Sequence, residues 1–129
     1  MRVLIISDTH GDDSAIVEVR RREPRIDVLL HAGDSLGSES FYQNYLRCIT
    51  YFVAGNCDGF CGLPSYESFV LGRHRVFMAH GHRYAVYGRD VSHELLRAAQ
   101  EEGADILVFG HTHVPLVEKR DGILCINPG

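Results

Sequence analysis

No apolar stretch in this 129-residue chain approaches the ~20 residues that a membrane-crossing helix requires. The early run Val3-Leu4-Ile5-Ile6 lacks a small-residue cleavage site and leads straight into an acidic motif, so it is not read as a signal peptide. Without an export signal, the expected compartment is the cytoplasm, with no membrane partner. Basic stripes are missing as well: the net charge is -4, and the one cationic cluster, Arg20-Arg21-Arg22, reads as the solvated end of a helix. That argues against long nucleic acid as a partner. A small phosphate ester stays open, because bound divalent cations supply positive charge that side chains do not. In a cytoplasmic chain the four cysteines read as thiols rather than as a disulfide framework. Cys48 and Cys125 lie beside or within apolar strand runs and read as small core residues. Cys57 and Cys61 flank a Gly-bearing loop, but a zinc site built on them lacks two further ligands at close spacing. There is no internal repeat, linker or low-complexity tract.

What is present suits one domain, residues 1–129, with a single continuous core. Val3 to Ile6 predicts a strand buried on both faces. Asp12 to Glu23 reads as a helix capped by Asp13 or Ser14 and stopped by Pro24. Val28 to His31 and Ile49 to Val53 are further strands, around a weaker helix from Ser38 to Tyr45 whose Phe41, Tyr42 and Tyr45 are expected in the core. Beyond Pro64, Tyr66 to Leu71 and Arg75 to Ala79 flank a hairpin turn with His74 at its tip. Val91 to Glu102 is a helix ended by Gly103, with His93 at its start; Ile106 to Phe109 is a buried strand. Val114 to Arg120 pairs with Ile123 to Ile126 through Asp121-Gly122. This order of elements implies an α/β sandwich.

The chemistry-bearing residues recur at one kind of place. Ser7-Asp8-Thr9-His10-Gly11 follows the first strand, where an Asp and a His one residue apart can close on one cation. Alone, that motif fits a helix cap and a loop histidine equally well. Yet Asp34 follows the second strand through Gly33, Asn56 the third through Gly55, His80 follows Val76 to Ala79, and His111 and His113 follow Ile106 to Phe109 through Gly110. Five hydrophobic strands thus each hand a carboxylate, amide or imidazole to a strand end, a set that binds manganese, iron(II), zinc, nickel or cobalt better than magnesium alone. A carboxylate such as Asp34 has two oxygens and can bridge two cations at the ~3.5–4 Å separation of binuclear hydrolases.

Taken together, Asp8-Thr9-His10, Gly33-Asp34, Gly55-Asn56-Cys57-Asp58, His80-Gly81-His82 and Gly110-His111-Thr112-His113 resemble the calcineurin-like metallophosphoesterases, in particular their small YfcE-type phosphodiesterase branch. The resemblance implies an αββα sandwich with a two-metal site at the strand C-terminal ends. It implies that Asp8, His10, Asp34 and His113 hold one metal and Asp34, Asn56, His80 and His111 the other. It places Asn56 and Asp58 in the catalytic set, and His82 and Cys57 at the substrate or in the surrounding shell. The expected activity is hydrolysis of a small phosphodiester by a metal-bridging hydroxide, with Mn2+ the first expectation among Ni2+, Zn2+, Fe2+, Co2+ and Mg2+.

Two departures stand out. Many members of the superfamily carry His directly after the Asn, as general acid for the leaving group; here Cys57 stands there. Asp58, which would orient that His, is present and is read as ordering water, protonating the leaving group, or shaping a turn. The chain also ends at Asn127-Pro128-Gly129, which resembles a family motif near the site, where the family normally continues into further strands; it reads either as an unusually short member or as a cut chain. A sheet edge left unpaired would favour a homo-oligomer. The rival readings are a non-catalytic scaffold of the same fold, as in a retromer subunit, and a phosphomonoesterase of the phosphoprotein phosphatase kind. The scaffold is recognised by a degraded ligand set, and Gly33-Asp34-Ser35-Leu36-Gly37 lacks the Asp and Arg that the phosphatases carry there.

Overall fold

The computed structural model describes residues 1–59 and 62–129; Cys61, weighed above as half of a zinc pair, lies outside them. Three strands, β1 (Val3–Ile6), β2 (Val28–His31) and β3 (Ile49–Phe52), form a parallel sheet in the order β1-β2-β3. Helices α1 (Ser14–Arg22) and α2 (Glu39–Leu46) make the crossovers. The second sheet runs β4-β5-β6-β8-β7, built from β4 (Tyr66–Leu71), β5 (His74–Ala79), β6 (Ile106–Val108), β7 (Leu116–Arg120) and β8 (Ile123–Asn127). Helix α3 (His93–Glu101) connects β5 to β6.

Strand alternation sorts the core into three layers. Leu29 of β2 points under α1 and α2, against Ile16, Tyr42 and Leu46, while Val28 and Leu30 point between the sheets, against Val76, Met78 and Val108. Beyond the second sheet, Leu95, Leu96 and Ala99 of α3 cover Phe77, Leu107 and Cys125. The result is the α/β sandwich expected from the order of elements, with the αββα layering that the resemblance implies. Because β1, β2 and β3 are parallel to one another, as are β5, β6 and β8, their C-terminal ends gather at one rim. Backbone bonds close it there: Asp8 N–H to Gly33 C=O at 2.8 Å, His10 N–H to Asp34 C=O at 2.9 Å, and Gly110 N–H to His80 C=O at 3.0 Å.

Some expectations need correcting. β1 pairs only with β2 and is a half-exposed edge strand; the strand buried throughout is β2. An unbroken apolar run does not say how many neighbours a strand has. Of the α2 aromatics only Tyr42 is in the core, because α2 lies flat on the sheet and turns Phe41 and Tyr45 to solvent. Asp13 does not cap α1 through its side chain; it accepts hydrogen bonds from Ser38 Oγ and Tyr42 Oη, tying α1 to α2. His74 is exposed, as expected, but pairs with Asp105 at 2.9 Å. Among the described residues, no helix is long and apolar enough to cross a membrane.

Candidate metal centre

The rim is built from residues in left-handed backbone conformation. Nine non-glycine residues have positive φ, and five of them are Asp8 (56°), His10 (50°), Asp34 (61°), His111 (72°) and His113 (60°). Such a conformation costs about 1–3 kcal/mol per residue and persists only where the surroundings enforce it. Here it turns each chain sharply off its strand and folds the side chain back over the sheet end.

Glycines make the room. A Cβ on Gly55 would fall 2.1 Å from Asp34 Oδ1, one on Gly110 2.6 Å from Asp8 Oδ2, and one on Gly33 2.5 Å from the His80 ring.

The donor atoms converge. Asp34 Oδ2 lies 3.6 Å from His10 Nε2 and 3.3 Å from His80 Nε2; Asp8 Oδ1 lies 3.8, 3.7 and 3.3 Å from the Nε2 atoms of His10, His80 and His113. Neighbouring ligands about 2.1 Å from a shared cation sit roughly 3–3.5 Å apart, so these spacings suit a coordination shell. Asn56 Oδ1 faces His80 Nε2 at 2.9 Å and His111 Nδ1 at 3.1 Å, which brings in the remaining two candidates. The site has a buried floor, with Asp8 and Asp34 side chains 2% exposed and His80 0%, and an open rim at His10 and His113.

Three observations fit a metal to these residues. Among the described residues, no Lys or Arg pairs with the buried carboxylates of Asp8 and Asp34, and unpaired buried charge is costly. Asp8 Oδ1 is buried without a hydrogen-bond partner. The Ala32 carbonyl accepts from His80 Nδ1 at 2.8 Å, which fixes the tautomer and leaves the Nε2 lone pair facing the oxygens of Asn56 and Asp34. Acceptors that face acceptors suit a cation between them.

The supporting residues are as informative as the ligands. Asp58 Oδ2 accepts the N–H groups of Asp34 (2.8 Å) and Gly55 (2.6 Å), and Oδ1 accepts Leu36 N–H at 2.9 Å. The structure therefore places this carboxylate behind the Asp34 loop, engaged with backbone. Cys57 donates its N–H to Asp34 Oδ1 at 2.8 Å, and its exposed Sγ lies among the donors of His10 and Asp34. His82 stands beside His80 and His111, with ring centroids 5.4 and 6.2 Å away, and its Nδ1 is buried without a partner. Burial and the neighbouring imidazole of His80 hold both His82 and His111 below the usual histidine range, which favours the neutral, metal-binding form.

One supporting residue escaped sequence reasoning, and a second, Asn127, was placed near the site only by its motif resemblance. His31, wholly buried at the end of β2, accepts Gly33 N–H on Nδ1 at 3.2 Å and meets Thr9 Oγ1 through Nε2 at 3.0 Å, so it braces the first two loops together. Its position at a strand end was the available signal, but it reads as one more apolar-run terminus. Asn127 Nδ2 donates to the Gly110 carbonyl (3.1 Å) and Thr112 Oγ1 (2.9 Å), holding the loop that carries His111 and His113.

Known proteins share the family pattern and the fold. The sequence pattern of the calcineurin-like phosphoesterase superfamily domain matches residues 1–129. A probable metallophosphoesterase of Mycoplasma genitalium, MG207, is 34% identical over 130 residues, covering 100% of this chain and 76% of that protein. Phosphodiesterase YfcE of Escherichia coli K12 is 34% identical over 85 residues, 60% of this chain and 41% of that protein. Among solved structures, a predicted phosphoesterase from Streptococcus pneumoniae superposes with a TM-score of 0.80 at 32% identity, covering 98% of this chain and 71% of that one. The zinc complex of Vps29 from Entamoeba histolytica superposes with a TM-score of 0.80 at 25% identity, covering 100% and 74%.

Proposed function

Because the chain belongs to the calcineurin-like phosphoesterase superfamily, we propose that it is a metal-dependent phosphodiesterase acting on a small phosphodiester. Asp8, His10, Asp34 and His113 would hold one divalent cation, and Asp34, Asn56, His80 and His111 a second, with Mn2+ the first candidate. One observation carries this reading. Asp34 Oδ2 stands between His10 Nε2 and His80 Nε2, at 3.6 and 3.3 Å, where one carboxylate serves both groups of ligands.

When bound, the two cations supply charge to the ester oxygens and acidify the water that attacks phosphorus. The chain's own residues do the rest. The buried floor of Asp8, Asp34 and His80 excludes bulk water, while exposed His10 and His113 leave an entrance for substrate. Asp58 acts as a positioning residue, since its oxygens accept backbone N–H groups on both sides of the metal loops. Cys57 faces the centre where an imidazole acid would stand, which favours esters whose leaving group departs unaided.

The test is a panel of phosphodiesters, phosphomonoesters and phosphopeptides run on protein reloaded separately with manganese, nickel, zinc and magnesium. Diester turnover that tracks metal content, and is mostly lost in Asp34→Asn with the fold intact, is the expected result. Wild-type turnover in Asp34→Asn removes the shared-carboxylate assignment.

A second reading, a non-catalytic scaffold, is favoured by the Vps29 likeness. It predicts bound metal without turnover of any ester in the panel.

A further inference from the structure

Beside the metal centre lies a cleft of about 340 Å³ lined by Val86, Tyr87, Arg89, His111, Thr112 and Val114. It shares His111 with the candidate centre, so the two adjoin. Its most unusual feature is Tyr87, an aromatic side chain 83% exposed to solvent.

The fold holds Tyr87 there. Ala85 (φ 53°) and Gly88 (φ 91°) adopt left-handed conformations on either side of Val86-Tyr87. Val86 is driven into the core and Tyr87 is turned outward over the cleft. The loop is tied at both ends: Tyr84 N–H donates to the Gly81 carbonyl at 3.0 Å, and Ser92 Oγ to the Tyr84 carbonyl at 2.5 Å. Asp90 is held by Arg120 through bonds of 2.8 and 2.7 Å, so the neighbouring Arg89 keeps its charge for the cleft. An anchored loop that presents an aromatic face, with apolar Val86 and Val114 below and a guanidinium alongside, suits a flat ring on an anionic molecule.

We propose that this cleft is a substrate subsite, and that it seats a nucleobase or aryl ring carried on one arm of the phosphoester. The inference rests on the phosphoesterase reading only in placing the phosphate at the metal centre.

Adenosine 5′-monophosphate and ribose 5-phosphate differ only in the ring and are the probes. Each is titrated calorimetrically into zinc-loaded wild type, Tyr87→Ala and Tyr87→Phe, with thermal melts to confirm the fold. Stacking of a base on an aromatic side chain predicts that wild type binds the nucleotide roughly tenfold tighter or more. Tyr87→Phe should keep that ratio and Tyr87→Ala should bring it near one. Equal affinities in wild type, or a ratio that survives Tyr87→Ala, overturn the subsite. Hydrolysis of bis(p-nitrophenyl) phosphate by the same preparations separates the two ideas. Turnover with a ratio of one keeps the phosphodiesterase and overturns the subsite, whereas a ring preference without turnover of any diester does the reverse. Binding of neither probe overturns the subsite, and the diester assay then decides the phosphodiesterase reading by itself.

Discussion

The carboxylate of Asp58 carries the backbone of Asp34, with Oδ2 accepting the Asp34 N–H at 2.8 Å. The same oxygen accepts Gly55 N–H at 2.6 Å, so one atom fixes the separation of the loops that present Asp34 and Asn56. A residue read from sequence as a turn former or proton donor thus sits behind the centre, where it acts on geometry.

Removing that carboxylate strands the part-buried N–H groups of Asp34 and Gly55, while water can replace it at exposed Leu36. Each costs roughly 1–3 kcal/mol when left unpaired in a buried site. Asp58→Ala should lower the melting temperature and weaken metal binding by about 10–100-fold, the usual effect of losing an outer partner. Once metal is saturated, the dependence of rate on leaving-group acidity should match wild type. A changed dependence at equal metal content would make Asp58 the proton donor.

Gly55→Ala tests the space reserved for Asp34. The new Cβ would stand 2.1 Å from Asp34 Oδ1, so the carboxylate must move although no ligand has been altered. Metal content measured after dialysis should fall well below wild type, with circular dichroism unchanged. Full metal occupancy in Gly55→Ala would show that the Asp34 loop yields more easily than these contacts allow.

His31 makes stability depend on acid. Burial pushes its pKa down from the usual 6.5 to about 4. Between those values the unfolded chain takes up a proton that the folded chain refuses. Stability from this group is therefore full above pH 6.5, declines as the pH falls, and levels off below about 4. The loss is on the order of 3 kcal/mol. Urea unfolding of metal-free wild type and His31→Gln, compared across that range, should show the difference between them shrinking as acid is added. A difference that does not vary with pH would mean that His31 is protonated in the folded protein.

Cys57 predicts a steep response to the leaving group. General-acid help is typically worth about 10²–10⁴-fold, and an alkyl alkoxide needs it where an aryloxide does not. Cys57→His should flatten the plot of log kcat/KM against leaving-group pKa and speed alkyl esters most. Asp58 has roughly one of its four lone-pair sites left to orient the imidazole, three being taken by backbone. Identical slopes at equal metal content would leave a water at the centre as the proton source.

The candidate ligands were legible in the sequence, because each follows a short apolar run, and a run of that kind reads as a strand whose end opens on a rim. The α/β class was legible from the order of strands and helices, whereas the αββα layer order came only with the family resemblance. Local pattern carries no information about which strand lies at an edge, so β1 looked buried although, among the described residues, it pairs with β2 alone. Nor does it say which residues brace the site. Asp58, His31 and Asn127 each hold loops up to 24 residues away through two or three hydrogen bonds, and contacts of that kind leave no periodicity. The left-handed turns at Asp8, His10, Asp34, His111 and His113 were equally hidden, since non-glycine side chains normally avoid that conformation. Sequence chemistry determined what the centre is made of; close packing of two sheet ends decided how tightly its atoms are held.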